Sequence, residues 1–252
     1  MCPQSVRTQR RISVAWRTSP AGFSLVEFVV VIAILGVLIA LMMPSTCGSR
    51  EGARRSQCKN NLKQILLALH NYHDVYQAFP PAWTVDASGR RMHSWRTLIL
   101  PYLDQRPLYE QIDLTKPWND PVNLEAAKQV PFAYRCPSAT HDPGQTIYMA
   151  LVGEDAFLRP TTARPISEIT DGTSNTVAVI EVTAKQAVPW MAPQDADPKI
   201  FVGMKGQTES HHTGGEHVGM ADGAVRFLSS DLDEETRKGL FTATGGETIG
   251  EF

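Results

Sequence analysis

The chain has 252 residues, 42% of them apolar and 20% charged, enough to bury a core as one domain or as one domain with an appendage. Its net charge of −2 excludes a broad basic surface for nucleic acid. The near balance conceals an asymmetry: residues 1–22 carry Arg7, Arg10, Arg11 and Arg17 with no acid, which leaves −6 for the remainder.

Sixteen residues from Phe28 to Met43 are all apolar or glycine, and counting from Phe23 gives 21 before Pro44. That is about the length that crosses a bilayer as a helix. Arginines before the run and few positive charges directly after it place the leader in the cytoplasm and the rest outside. A cleaved secretory signal fits poorly, because the apolar core is too long and Pro44-Ser45-Thr46 is a poor cleavage site. A lipoprotein signal fails too, since Cys47 follows Thr46 and Pro44 stands where a leucine belongs. An uncleaved anchor is the plain alternative, but it leaves Glu27 unexplained. A carboxylate in an apolar helix costs roughly 2.5–3.5 kcal/mol near the bilayer centre and less toward the helix end, so it is usually there to meet a partner.

The segment Gly22-Phe23-Ser24-Leu25-Val26-Glu27 resembles the type IV prepilin processing motif. The resemblance implies a cut between Gly22 and Phe23 by a membrane prepilin peptidase and N-methylation of Phe23. It further implies that Glu27 pairs with the N-terminal amine of a neighbouring subunit during assembly.

Beyond Pro44, Cys58, Leu62, Ile65, Leu66, Leu69 and Tyr72 recur at steps of three or four, the stripe of an amphipathic helix over 51–76. Pro44 is expected to kink rather than end the helix, giving one helix over 24–76, roughly 80 Å long. Phe79-Pro80-Pro81 stops it. Ser94 is expected to cap a helix over 95–103 and Asn123 another over 124–130, in a region broken by prolines. Strands are expected over 146–152, 176–182, 217–220 and 224–228, the last two joined by Ala221-Asp222-Gly223. A last helix over 231–241 has Asp231 and Glu234 at capping-box spacing. The expected fold is α+β and pilin-like: a long N-terminal helix, its first half transmembrane, packed on a small antiparallel sheet with loop-rich insertions. Its parts are a leader (1–22), a transmembrane helix (23–44) and an extracytoplasmic head (45–252).

A second resemblance covers most of the chain. The segments 54–64, 69–74, 79–81, 94–96, 100–105, 136–138, 171–176 and 188–190 are similar to the bacterial family DUF1559. So is the C-terminal H-X9-DG pattern, in which His212 is followed after nine residues by Asp222-Gly223. The resemblance implies an expanded relative of the major pseudopilins of type II secretion.

Candidate sites each have a structural reading beside the chemical one. His211, His212, His217 and Asp222 could converge on a metal or serve acid–base chemistry. No zinc-protease spacing is present, however, and a turn accounts for Asp222-Gly223, so His212 is expected to tie its loop to the hairpin. Asp171 and Asn175 could hold calcium, which the likeness to pseudopilins also suggests, but an Asx-type turn is the favoured reading. Cys58 and Cys136 are a disulfide pair if the head is exported, or two independent buried thiols. His70 and His73 are expected at the edge of the core, and Trp83, Trp95, Trp118 and Trp190 as core or loop anchors rather than a sugar platform.

These readings converge on a non-enzymatic, self-assembling subunit of the inner membrane, without a metal or other cofactor. Its expected partners are the prepilin peptidase, like subunits or other pseudopilins, and the membrane. The alternative is an anchored extracytoplasmic binding module that uses the leader only for export, which exposed aromatics around a pocket would favour.

Overall fold

The computed structural model describes residues 24–42, 46–140, 142–204 and 211–247. The chain divides into two compact units, 1–46 and 47–252. The expected Gly22–Phe23 cut and the Pro44 kink both lie outside the described residues.

The first unit holds α1 (Leu25–Met42), 18 residues with Glu27 as the acid of its first turn. The Ser24 N–H donates to Glu27 Oε2 at 3.1 Å, and the Val26 N–H donates to the Ser24 hydroxyl at 3.3 Å. Every side chain described on α1 is exposed, Leu25, Phe28, Ile34 and Val37 by more than half. A helix that is apolar all round is stable only where other apolar groups surround it. Among the described residues no helix is long and apolar enough to cross a membrane. The 18 residues of α1 rise about 27 Å, just short of a hydrocarbon core of about 30 Å.

All of α2 (Thr46–Tyr76) but its first residue lies in the second unit, and the helix is ended by Gln77 at a φ of 58°. Strands β1 (Trp83–Val85) and β2 (Arg91–Ser94) form a ribbon that leads into the short helix α3 (Trp95–Leu98). Next come α4 (Arg106–Tyr109) and α5 (Leu124–Ala127). Strand β3 (Gln145–Thr146) pairs with β6 (Val188–Pro189), while β4 (Tyr148–Ala150) and β5 (Val177–Glu181) enter the main sheet. After α6 (Pro198–Val202), the hairpin β7 (Gly215–Met220) and β8 (Val225–Ser229) completes that sheet, and α7 (Glu234–Phe241) follows. The main sheet is antiparallel in the order β4-β5-β7-β8. The unit is thus α+β.

The apolar stripe of α2 is the helix face that makes the core. Cys58, Leu62, Ile65, Leu66 and Leu69 are fully buried, joined by Asn61 and Ala68. The helix rests on β7 where that strand has no side chain: a Cβ on Gly219 would stand 2.8 Å from Leu66 Cδ1. Gly219 therefore sets how closely helix and sheet approach.

Three expected helices are corrected. Ser94 caps only α3, accepting the Arg96 N–H, and the chain continues as a 3-10 turn over Leu100–Tyr102 because Pro101 cannot extend an α-helix. Asn123 does not cap α5: its side chain accepts the Asp113 N–H and donates to the Asp113 and Pro117 carbonyls, and the helix ends at Ala127. The cap of α7 is Asp233, which accepts the Thr236 N–H at 2.8 Å, in place of Asp231. The expected strand over 146–152 is split into β3 and β4.

Candidate functional site

The pleat of the sheet builds a row of polar and aromatic side chains. Tyr148 pairs with Glu181, and His217 pairs with Phe227. Val179 faces Gly219 across β5 and β7, so two residues further along the strands, on the same face, Glu181 neighbours His217. Because Gly219 meets Leu66, that face is the one under α2. Glu216, on the opposite face, binds Arg237 of α7 at 2.7 Å, with both side chains buried.

Glu181 is the centre of the row. Its Oε2 accepts the His217 N–H at 3.1 Å and lies 3.3 Å from His217 Nδ1 and 3.5 Å from His212 Nε2. Its Oε1 is buried with no hydrogen bond. Burial pushes the Glu181 carboxyl up, but the hydrogen bonds and charge of His212 and His217 outweigh it and hold the group below its ordinary value. Burial, with the Glu181 charge adding to it, pushes the Tyr148 hydroxyl well above the ordinary tyrosine value. His212 stacks edge-on with His217 at 4.8 Å and turns Nδ1 toward Glu51 of α2 at 3.5 Å. Arg55 holds the His212 loop by donating to the Thr213 carbonyl at 2.7 Å, and its guanidinium lies over Phe227.

A disulfide joins Cys58 of α2 to Cys136 beside this cluster, with the Cα atoms 5.4 Å apart and a sequence separation of 78. Asn61, one turn on, donates to the Arg135 carbonyl at 2.6 Å. Cross-linking across a loop of this length is worth up to about 4.5 kcal/mol in the chain-entropy model, of which 2–4 is typically realised. Cys136→Ser is therefore expected to lower stability by roughly 2–4 kcal/mol, read as a shift in urea midpoint. An unchanged midpoint would show that the bond constrains nothing.

His212 forms a β-bridge with Gly215 and is almost fully buried. Asp222 lies at the other end of β7, exposed, accepting the Ala224 N–H at 2.8 Å beside Gly223 at a φ of 87°. The two ends of the H-X9-DG pattern therefore do not meet. The Asp171 carboxylate accepts the Gly245 and Gly246 N–H groups at 2.7 and 2.8 Å, and Asn175 donates to the Asp171 carbonyl, so both serve the turn and its C-terminal neighbour. His211 contacts the Val182 carbonyl, and His73 accepts the Ile166 N–H.

Trp95 and Trp190 are fully buried, while Trp83 and Trp118 are half-buried. A surface pocket of about 290 Å³ is lined by Thr84, Val85, Asp86, Met92, His93, Leu98, Leu114 and Thr115, without a tryptophan, tyrosine or phenylalanine. Glu51, Glu181 and the buried pair Arg96–Asp195 were missed in the sequence. The signal for Glu181 was present: it is the lone charge in the apolar run 177–182.

Residues 17–43 match the prokaryotic N-terminal methylation motif, so α1 belongs to a class of chains marked by that motif. Residues 48–166 and 201–235, more than half of the chain, match the family described as "Protein of unknown function (DUF1559)", and the chain belongs to that family. It is also 36% identical over 64 residues to the type II secretion system core protein G of Pseudomonas aeruginosa, a stretch covering 25% of this chain and 45% of that protein. The match thus spans less than half of this relative. No solved structure matches the chain.

Proposed function

We propose that the chain is a prepilin-like structural subunit that polymerises into a type II secretion or type IV pilus-like filament and has no catalytic role. In this reading the prepilin peptidase cuts between Gly22 and Phe23, and the new N-terminus is methylated. The apolar run from Phe23 to Met43 holds the subunit in the cytoplasmic membrane with its head outside. The observation that carries the reading is the N-terminal methylation motif lying on a helix that exposes apolar side chains all round and has one carboxylate, Glu27.

The physical sense is a choice of environments. Lipid and a bundle of like helices both satisfy the apolar surface of α1. Only the bundle offers Glu27 an opposite charge, the N-terminal amine of a neighbour, so assembly gains what the isolated subunit lacks. The partial match to core protein G of a secretion system agrees with this role. Glu27→Ala is the test: the variant is expected to insert and be cleaved but to disappear from the assembled fraction. Normal assembly of the variant contradicts the role of Glu27.

A further inference from the structure

The disulfide ends against the histidine–glutamate pair, and neither the structural role of the bond nor subunit assembly requires that placement. One sulfur from each of Cys58 and Cys136, a carboxylate oxygen of Glu181 and a ring nitrogen of His212 lie within 4.8 Å of one another, and all four residues are buried. We propose that, when the two sulfurs are reduced, Cys58, Cys136, Glu181 and His212 form a closed tetrahedral site for a divalent cation of the zinc class. The inference is independent of the assembly reading, and the failure of either leaves the other standing.

Size, chemistry and support agree. Zinc bonds sulfur at about 2.3 Å and nitrogen or oxygen at about 2.0–2.2 Å, which sets tetrahedral donors about 3.3–3.8 Å apart, a modest rearrangement from the present cluster. Two thiolates, an imidazole and a carboxylate are donors that this borderline-soft ion accepts, and a hard cation such as calcium would not choose the sulfurs. Glu181 Oε1 is buried without a hydrogen bond, a costly state that a cation relieves, while Oε2 is oriented by the His217 N–H. Glu51 stands 3.5 Å beyond His212 Nδ1, where a carboxylate orients an imidazole whose other nitrogen binds metal. The four donors come from α2, the loop at Cys136, the end of β5 and the loop before β7. An ion there joins all four segments, whereas the disulfide joins two.

The two states exclude each other. A dithiol reductant opens the bond by giving two electrons and two protons to the protein sulfurs while its own sulfurs close to a disulfide. Binding then moves no electrons: each thiol releases its proton to solvent as its sulfur bonds the ion. The head can therefore be closed by metal before its cysteines are oxidised and by the disulfide afterwards.

The test uses the full chain in detergent, with Cys2→Ser and Cys47→Ser so that only the pair supplies sulfur. The oxidised protein and protein reduced by a dithiol, then desalted without oxygen, are titrated with Co²⁺. The reduced chain is expected to bind one ion, with thiolate-to-cobalt charge transfer in the near ultraviolet and tetrahedral bands in the visible, all displaced by one equivalent of Zn²⁺. The oxidised chain is expected to show neither. His212→Ala and Glu181→Gln should each weaken Zn²⁺ at least tenfold. Where reduction loosens the head, Zn²⁺ should restore its near-ultraviolet circular dichroism. Absence of the charge-transfer band, Zn²⁺ affinity undiminished in either variant, or no restoration by Zn²⁺ overturns the proposal.

Discussion

Arg96→Met is expected to cost the head about 3–5 kcal/mol, the loss typical when one member of a buried ion pair is removed. The Arg96 guanidinium donates to Asp195 Oδ1 at 2.6 Å and to the carbonyls of Tyr148, Trp190, Ala192 and Gln194 at 2.8–3.2 Å. Both charged side chains are fully buried. Asp195 Oδ1 also accepts the Trp95 indole N–H and the Ala150 N–H, so one carboxylate ties α3 to β4. The substitution leaves four carbonyls short of a donor and Asp195 without a counter-charge in a dry interior. Burial already pushes the Asp195 carboxyl up against the pull of Arg96. Without Arg96 it goes higher, and the folded state holds that proton more tightly than the unfolded chain does.

The sign of the pH effect follows. For an acid whose folded pKa is raised, the destabilisation is present above that pKa and is relieved as the pH falls through it. Arg96→Met should therefore recover part of its loss on mild acidification. Adding Asp195→Asn should recover part of it at neutral pH, a coupling that a double-mutant cycle isolates. Urea unfolding read by the fluorescence of Trp95 and Trp190 measures this. A loss below about 1 kcal/mol would mean that the pair does not organise the head. Against a total stability of about 5–15 kcal/mol, the predicted loss is enough to reduce the yield of folded head.

In the proposed filament, Glu27→Ala is expected to have the second large effect, on assembly rather than on folding. In the isolated helix the Glu27 carboxylate turns back to the Ser24 N–H at 3.1 Å. Exchanging that contact for a neighbour's amine adds a charge-assisted bond, worth about 1.5–3 kcal/mol, or roughly ten- to a hundredfold in affinity for each added subunit. The alanine variant keeps Gly22, Phe23 and the apolar run, so cleavage and insertion should persist. It should become easier to hold in lipid, since the cost of the carboxylate is gone. Glu27→Gln, which keeps an acceptor without the charge, should fall between the two. The readout is the ratio of filament-associated to membrane-dispersed mature chain.

What was legible in the sequence follows from how far each signal reaches along the chain. The α2 stripe needs only steps of three and four residues, and Cys58, Leu62, Ile65, Leu66 and Leu69 all face the core. The hairpin was legible because Gly223 supplies the positive φ at the turn that joins its two strands. Short helices were misjudged where distant residues compete for the cap: the Asn123 side chain is taken by Asp113 and Pro117. The buried cluster was out of reach because it is assembled across strands. Glu51, Glu181 and His212 lie far apart in sequence and meet only through sheet register and the seating of α2 on Gly219. His212 and Asp222 flank β7 at its two ends, and the length of that strand keeps them apart.

The most direct test of the central claim is intact-mass and N-terminal peptide analysis of the chain purified from its native membrane. A mature chain beginning at N-methylated Phe23 is the predicted result and would establish prepilin processing. An intact Met1, or a first residue other than Phe23, would contradict it and leave a single-pass anchored head without a route into a filament.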